Sequence, residues 1–303
     1  MVAELAPIWL TPINQFCDFL RYERNYAAST ISLYNKSLQA SAHYLTQHCE
    51  KWSQVQADHI RSYSMQLKRD GLGARSINLK LSCLRSFFKY LQQIQQAKPV
   101  ANPAITIKGP KYSKPLPKNL DVDQMAQLLD IPTDDALALR DKAMMELLYS
   151  SGLRISELVS INVGDINNGE VRVLGKGNKE RIVPVGRVAL NAIKAWLKVR
   201  PQFVSGDENA LFLSNKKLRI SSRQVRLRMR EWGIKQGISA KVHPHKLRHS
   251  FASHILESSG DLRAVQELLG HANLSTTQVY THLDFQHLAK VYDNTHPRAK
   301  KQK

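Results

Sequence analysis

Cysteine is scarce in this sequence: Cys17, Cys49 and Cys83 are the only three in 303 residues, and all fall in the first third. The number is odd and no two stand in CxxC spacing, which argues against a disulfide framework and against a zinc site. Cys17 and Cys83 lie among apolar residues, as simple buried thiols of a reducing compartment do. Long apolar runs are missing too, and none approaches the ~20 residues needed to span a bilayer. The opening MVAELAPIWL is short and lacks the basic leader of a secretory signal. A cytoplasmic protein without membrane contact is expected. Internal repeats and low-complexity tracts are absent as well. There is no HExxH, and no carboxylate stands at ligand spacing from the histidines of residues 243–254, so neither a metal nor another cofactor is expected.

Acidic residues are outnumbered. Against 44 Lys+Arg there are 25 Asp+Glu, a net charge of +19 with a pI near 9.9. An excess of that size speaks of partners rather than fold, and its natural partner is a polyanion. The excess is spread along the chain. Residues 1–110 hold 13 Lys+Arg and 6 Asp+Glu, a net +7, which leaves 31 and 19, a net +12, for residues 111–303. Two basic halves imply two pieces that both touch nucleic acid.

The first hundred residues read as helices. Thr11-Pro12 is placed to start the first, and Ile13, Phe16, Phe19 and Leu20 follow at helical spacing. A second starts near Ser29, a third is capped by Asp58, and a fourth runs from about Arg75 to Gln93. The fourth buries members of the set Ile77, Leu81, Leu84, Phe88 and Leu91. It presents Arg75, Lys80, Arg85 and Lys89 as an exposed basic face for DNA phosphates, although any one of them taken singly is equally a solvated surface residue. From Ala97 to Asp121, five prolines and several lysines break the helical period and predict a linker, with the domain boundary near residue 110. Two basic domains on such a linker can close around a rod-shaped ligand as a C-shaped clamp.

Helices resume after a capping-box-like Asp121-Val122-Asp123-Gln124. A long one spans about Asp135 to Ser151, Gly152 stops it, and a short one begins at Arg154. Residues 170–174 and 180–184 flank Gly175-Lys176-Gly177-Asn178-Lys179 and read as a β-hairpin. Helices follow over about 186–199 and 222–236, with ALFLSN between them a possible strand. The fold class expected is therefore mainly α with a small β-sheet: an N-terminal helical domain over residues 1–110 and a second domain over residues 111–303.

Reactive side chains gather between His243 and His282. His245 and Arg248 are three apart, so on a helix they share one face and can address two oxygens of one phosphate. His271 follows Leu268-Leu269-Gly270, just past the expected end of a helix. Tyr280 stands in STTQVYTH. Upstream, Arg154 lies at a helix start, where free N–H groups favour an anion, and Lys176 sits between two glycines on a hairpin tip. Each is ordinary by itself: an arginine in an ion pair, a polar turn, a structural histidine, a packed tyrosine. Together they offer a phenol among fixed cations. A phenol has a pKa near ~10 and is a poor nucleophile at neutral pH, so it needs cations to stabilise the charge that builds on a phosphodiester under attack.

This ordered set resembles the tyrosine recombinase (λ-integrase-like) family. The matching segments are SGLRISEL, LGKGNKERIVPVG, HPHKLRHSFASH and LLGHANLSTTQVYTH, which span most of residues 150–282 with no departure at the six motif positions. The resemblance implies that Tyr280 is the nucleophile, that Arg154 and Arg248 stabilise the phosphorane, and that Lys176 is general acid toward the 5′-oxygen. It gives His245 a general acid/base role and His271 a phosphate-positioning one. It also implies that residues 1–110 form a SAM-like core-binding domain. The tail DFQHLAKVYDNTHPRAKKQK is similar to that of chromosome-dimer-resolving members. These imply double-stranded DNA with a dif-like site, a heterotetramer with a XerD-like recombinase, and an FtsK-like translocase as regulator. Residues after Phe285 would then dock on a neighbouring protomer through Leu288, Val291 and Tyr292. Other readings are a XerD-like recombinase, a phage or integron integrase, a type IB topoisomerase-like nicking and closing enzyme, and a non-catalytic accessory DNA-binding protein.

Overall fold

The computed structural model describes residues 4–94, 102–112, 119–175, 180–238, 241–269 and 295–297. Its backbone divides into two compact units, Met1–Pro115 and Leu116–Lys303, and each has its own apolar core.

Among its described residues the first unit holds four α-helices, α1 (Pro7–Tyr22), α2 (Ala28–Leu45), α3 (Ala57–Arg69) and α4 (Ala74–Ile94). Helix α1 starts a turn earlier than Thr11-Pro12 suggests. Pro7 takes the first-turn place that suits its missing N–H, and Trp9, 2% exposed, draws the added turn into the core. Pro12 is thereby inside the helix and leaves the Ile8 carbonyl without its helical donor. Ile8 is exposed, so water can serve that carbonyl. Aromatic rings fill the centre: Trp52 meets Trp9 at 4.8 Å and Phe87 at 4.7 Å, and its indole N–H donates to the Trp9 carbonyl at 3.0 Å. Helix α3 is capped by Gln56, onto whose backbone N–H the His59 ring folds back at 3.1 Å. Asp58 lies within the first turn instead, paired with Arg61.

Part of the expected linker belongs to this unit. Residues 102–112 run as a strap along α4. Arg85 donates to the carbonyls of Ala104 (3.1 Å) and Ile107 (2.6 Å), and Asn102 donates back to the Arg85 carbonyl at 2.9 Å. Asn78 donates to the Pro110 carbonyl at 2.9 Å. Ala104 and Ile107 are buried in the core.

The second unit comprises α5 (Val122–Leu129), α6 (Ala136–Ser150), α7 (Ile155–Ser160), β1 (Ile166–Asn167), β2 (Glu170–Leu174), β3 (Glu180–Pro184), α8 (Arg187–Val199), α9 (Ser222–Lys235), α10 (Pro244–Ser259) and α11 (Leu262–Leu269). Asp121 and Gln124 form the expected capping box on α5, and Asp135 caps α6. Helix α6 is buried nearly all round, between α8 on one side and α10 on another. The strands make an antiparallel sheet in the order β1-β2-β3, with Val173 opposite Arg181 and Val171 opposite Val183. Strand alternation turns Val171, Val173, Arg181 and Val183 to the core face. ALFLSN forms no continuous strand. It makes isolated bridges, Asn162 to Ala210 and Leu213 to Arg219. The architecture is mainly α with one small sheet, as expected.

Candidate active site

Gly152 ends the segment after α6 with φ of +56°, a left-handed turn that suits a residue without Cβ. Two residues later Arg154 occupies the N-cap position of α7. Its backbone N–H donates to Glu157 Oε2 and its guanidinium Nη1 to Oε1, both at 2.8 Å. The Arg154 side chain is 33% exposed, whereas that of Glu157 is 2% exposed.

Helix α10 brings the second cation. Arg248 is 8% exposed and donates Nη1 to the carbonyl of Gly152 and Nη2 to that of Leu269 at 2.6 Å. One guanidinium thus ties the turn leading into Arg154 to the end of α11, two residues before His271. Burial, with the neighbouring charges of Arg154 and Arg181, lowers the Arg248 pKa to about 10, against the opposing pull of Glu157. It remains a cation at neutral pH.

His245 lies one turn before Arg248 and is exposed. Partial burial lowers its pKa first, and the charges of His249, Arg248, Arg226 and Arg154 push the same way. A ring held below its ordinary value is neutral at pH 7 and can accept a proton. Two other histidines of this stretch have structural partners. His243 caps α10 by accepting from the Lys246 N–H at 3.2 Å, and His254 is buried with Nδ1 2.8 Å from the Tyr149 hydroxyl. Among the described residues, no group of three His, Cys, Asp or Glu is placed to hold a metal ion.

The structure therefore gathers Arg154, His245 and Arg248. Lys176, His271 and Tyr280 lie outside the described residues, as do Leu288, Val291 and Tyr292 of the tail. Further along the tail, His296 is fully buried against Tyr149 and Phe251 of the second unit, with ring centroids at 4.8 and 5.6 Å.

The four candidates on α4 are not alike. Lys89 is exposed, and Arg75 is exposed over the Tyr112 ring at 6.0 Å. Lys80 is half-buried, and that burial lowers its pKa. Arg85 is corrected: its guanidinium holds the strap through two carbonyls and is not part of an open basic face.

Two groups went unnoticed in the sequence. Glu157 and Arg181 complete the buried charge cluster. On α9, Arg223, Arg226 and Arg230 are exposed, and Arg226 is close enough for its charge to act on His245. Their spacing of three and four was the available signal, since it sets one face of a helix.

Comparisons with known proteins place this geometry. The phage integrase family model matches residues 118–287, and the N-terminal SAM-like domain of phage integrase matches residues 13–95. The chain belongs to the phage integrase family, the tyrosine recombinases. Within it the chain is XerC-like. It is 52% identical to tyrosine recombinase XerC of Haemophilus ducreyi over 291 residues, 95% of each protein. The XerC of Escherichia coli O1:K1 is 52% identical over 296 residues, 97% of this chain and 98% of the relative. Among solved structures, a XerH recombinase in a post-cleavage complex with difH aligns with a TM-score of 0.67 and 22% identity, covering 93% of this chain and 83% of that one. A λ integrase dimer on a COC′ core site aligns at 0.64 and 18% identity, covering 89% of this chain and 98% of that one. The fold is shared with both. The protein is a site-specific tyrosine recombinase.

Proposed function

We propose that this recombinase cuts and rejoins duplex DNA at a dif-like site to resolve chromosome dimers, in a heterotetramer with a XerD-like partner and under an FtsK-like translocase. The observation that supports this most is the convergence of Arg154, Arg248 and His245 through the Gly152 and Leu269 carbonyls. Two guanidiniums held by the fold supply the positive charge that a pentacoordinate phosphorane requires, in surroundings where burial strengthens their field.

In this reading the Tyr280 phenol oxygen attacks phosphorus, forming the P–O(Tyr) bond as the bond to the 5′-oxygen breaks. His245 takes up the phenol proton, and Lys176 donates one to the departing 5′-oxygen, leaving a 3′-phosphotyrosyl link and a free 5′-hydroxyl. His271 helps hold the phosphate. The bond energy stays in the phosphotyrosine, so attack by a 5′-hydroxyl reverses the step without ATP. The first unit is the core-binding domain, with Arg75, Lys80 and Lys89 as its contacts to the DNA backbone. Arg223, Arg226 and Arg230 add a basic face on α9.

A nicked suicide duplex carrying a dif-like site, incubated in EDTA with and without the partner recombinase, tests the chemistry. An SDS-stable adduct is expected, and Tyr280→Phe should abolish it. An adduct that survives Tyr280→Phe would mean another nucleophile. Tight DNA binding with no adduct in either tube would favour an accessory role.

A further inference from the structure

Glu157 poses an electrostatic difficulty for the site just described. A carboxylate bonded to Arg154 through both of its oxygens cancels most of the field that Arg154 would exert on a phosphate. The chain answers with a second arginine. Arg181, at the second position of β3, donates Nη1 to Glu157 Oε1 at 2.7 Å and Nη2 to Oε2 at 2.9 Å, a bidentate fork. Each carboxylate oxygen therefore accepts one bond from Arg154 and one from Arg181.

We infer that Arg181 is a positioning residue for strand cleavage: its fork neutralises and orients Glu157, so that Glu157 aims Arg154 without cancelling its charge. Arg181 is 9% exposed and gives both terminal nitrogens to Glu157, which argues against a direct phosphate contact. With Arg248, three guanidiniums and one carboxylate leave two positive charges at the site, and without Arg181 only one. Placement supports the role. Arg181 is opposite Val173 on the core face of the sheet, where an unpaired cation would be costly and a leucine or valine would pack as well. The same bonds fasten β3 to the start of α7, so the strand is anchored to the phosphate-binding arginine.

This inference rests on the proposed role of Arg154, and the test separates the two. Cleavage of the nicked dif-like duplex is measured for the full chain with its partner recombinase, alongside DNA affinity. Arg181→Gln should slow cleavage roughly 10- to 100-fold at unchanged affinity, short of the ~10²–10³-fold typical of losing a direct charge-stabilising donor. Glu157→Gln in the same chain should restore most of that rate, because a neutral amide no longer needs a neutralising partner. A duplex with a methylphosphonate at the scissile position, in which a methyl group replaces one non-bridging oxygen and removes the charge, should shrink the Arg181→Gln defect. A rate within about twofold of wild type for Arg181→Gln would overturn the inference. So would a defect that neither Glu157→Gln nor the methylphosphonate relieves, since that marks simple loss of packing. If Arg154→Ala cleaves at the wild-type rate, the proposed site itself fails.

Discussion

At Gly152 an added Cβ would stand 2.5 Å from the Phe251 ring, on a backbone whose φ of +56° L-residues rarely adopt. Its carbonyl also receives Arg248. Gly152→Ala should therefore cost stability, on the order of 2–5 kcal/mol from left-handed strain and overpacking together. A drop in urea midpoint with cleavage lost in parallel is the expected outcome, and an unchanged midpoint would show that the turn tolerates a side chain. His254 carries a pH dependence. Burial lowers its pKa, outweighing Glu257, the Leu120 backbone hydrogen bond and Asp121, which raise it. The unfolded chain then binds a proton that the folded chain refuses. Stability is full above the ordinary value of 6.5 and falls as pH drops from there toward the lowered one. His254→Gln should flatten part of that slope in unfolding midpoints measured across the range. His243 and His245, lowered in the same direction, keep the remainder. An unchanged slope would mean that His254 titrates as freely folded as unfolded.

Helix α4 and its strap depend on one close approach. A Cβ on Gly109 would fall 2.2 Å from Asn78 Oδ1, and the Asn78 amide is already held by the carbonyls of Ala74 and Pro110. Gly109→Ala should peel the strap from α4, seen as faster proteolysis within residues 102–112. Asn78→Ala, which removes the obstacle, should lessen the effect of Gly109→Ala in the double variant. Equal cleavage of Gly109→Ala and wild type would show the strap to be loosely held. The sequence pattern around Ala97–Asp121 could not reveal this strap, because prolines mark the loss of helix and say nothing about which side chain elsewhere supplies carbonyl partners. Local signals served well where the partners were close in sequence: the Asp121–Gln124 box, the helix start near Asp135, the antiparallel pair of strands 170–174 and 180–184, and the three-residue step from His245 to Arg248. Gln56 was missed as the α3 cap because its partner is a histidine ring rather than the usual carboxylate. Arg181 was half legible. ERIVP places it on the same face as Val183, and a cation there demands an anion, but the anion, Glu157, is 24 residues away and only the fold brings it near.

For the whole molecule, a net +19 overstates the charge available to DNA. Arg85, Arg140, Arg200 and Arg228 each donate to internal carbonyls or carboxylates, and Arg181 is bound to buried Glu157. Salt dependence reads the available number directly, since the slope of log Kobs against log salt is about −0.9 per phosphate neutralised. The α9 arginines give a sharp contrast on one helix. Arg223, Arg226 and Arg230 are exposed, whereas Arg228 is bound to buried Asp141 and to Glu231. Arg226→Ala and Arg230→Ala should each reduce the magnitude of the slope by about 1, measured on a duplex at 50–200 mM salt. Arg228→Ala should leave the slope alone and lower the unfolding midpoint, because it strips a partner from a buried carboxylate. Arg85→Ala should also keep the slope while loosening the strap. If Arg228→Ala changes the slope as much as Arg226→Ala does, the internal pairing seen for Arg228 yields to phosphate in the complex. The basic face of α9 would then be wider than its exposed residues suggest.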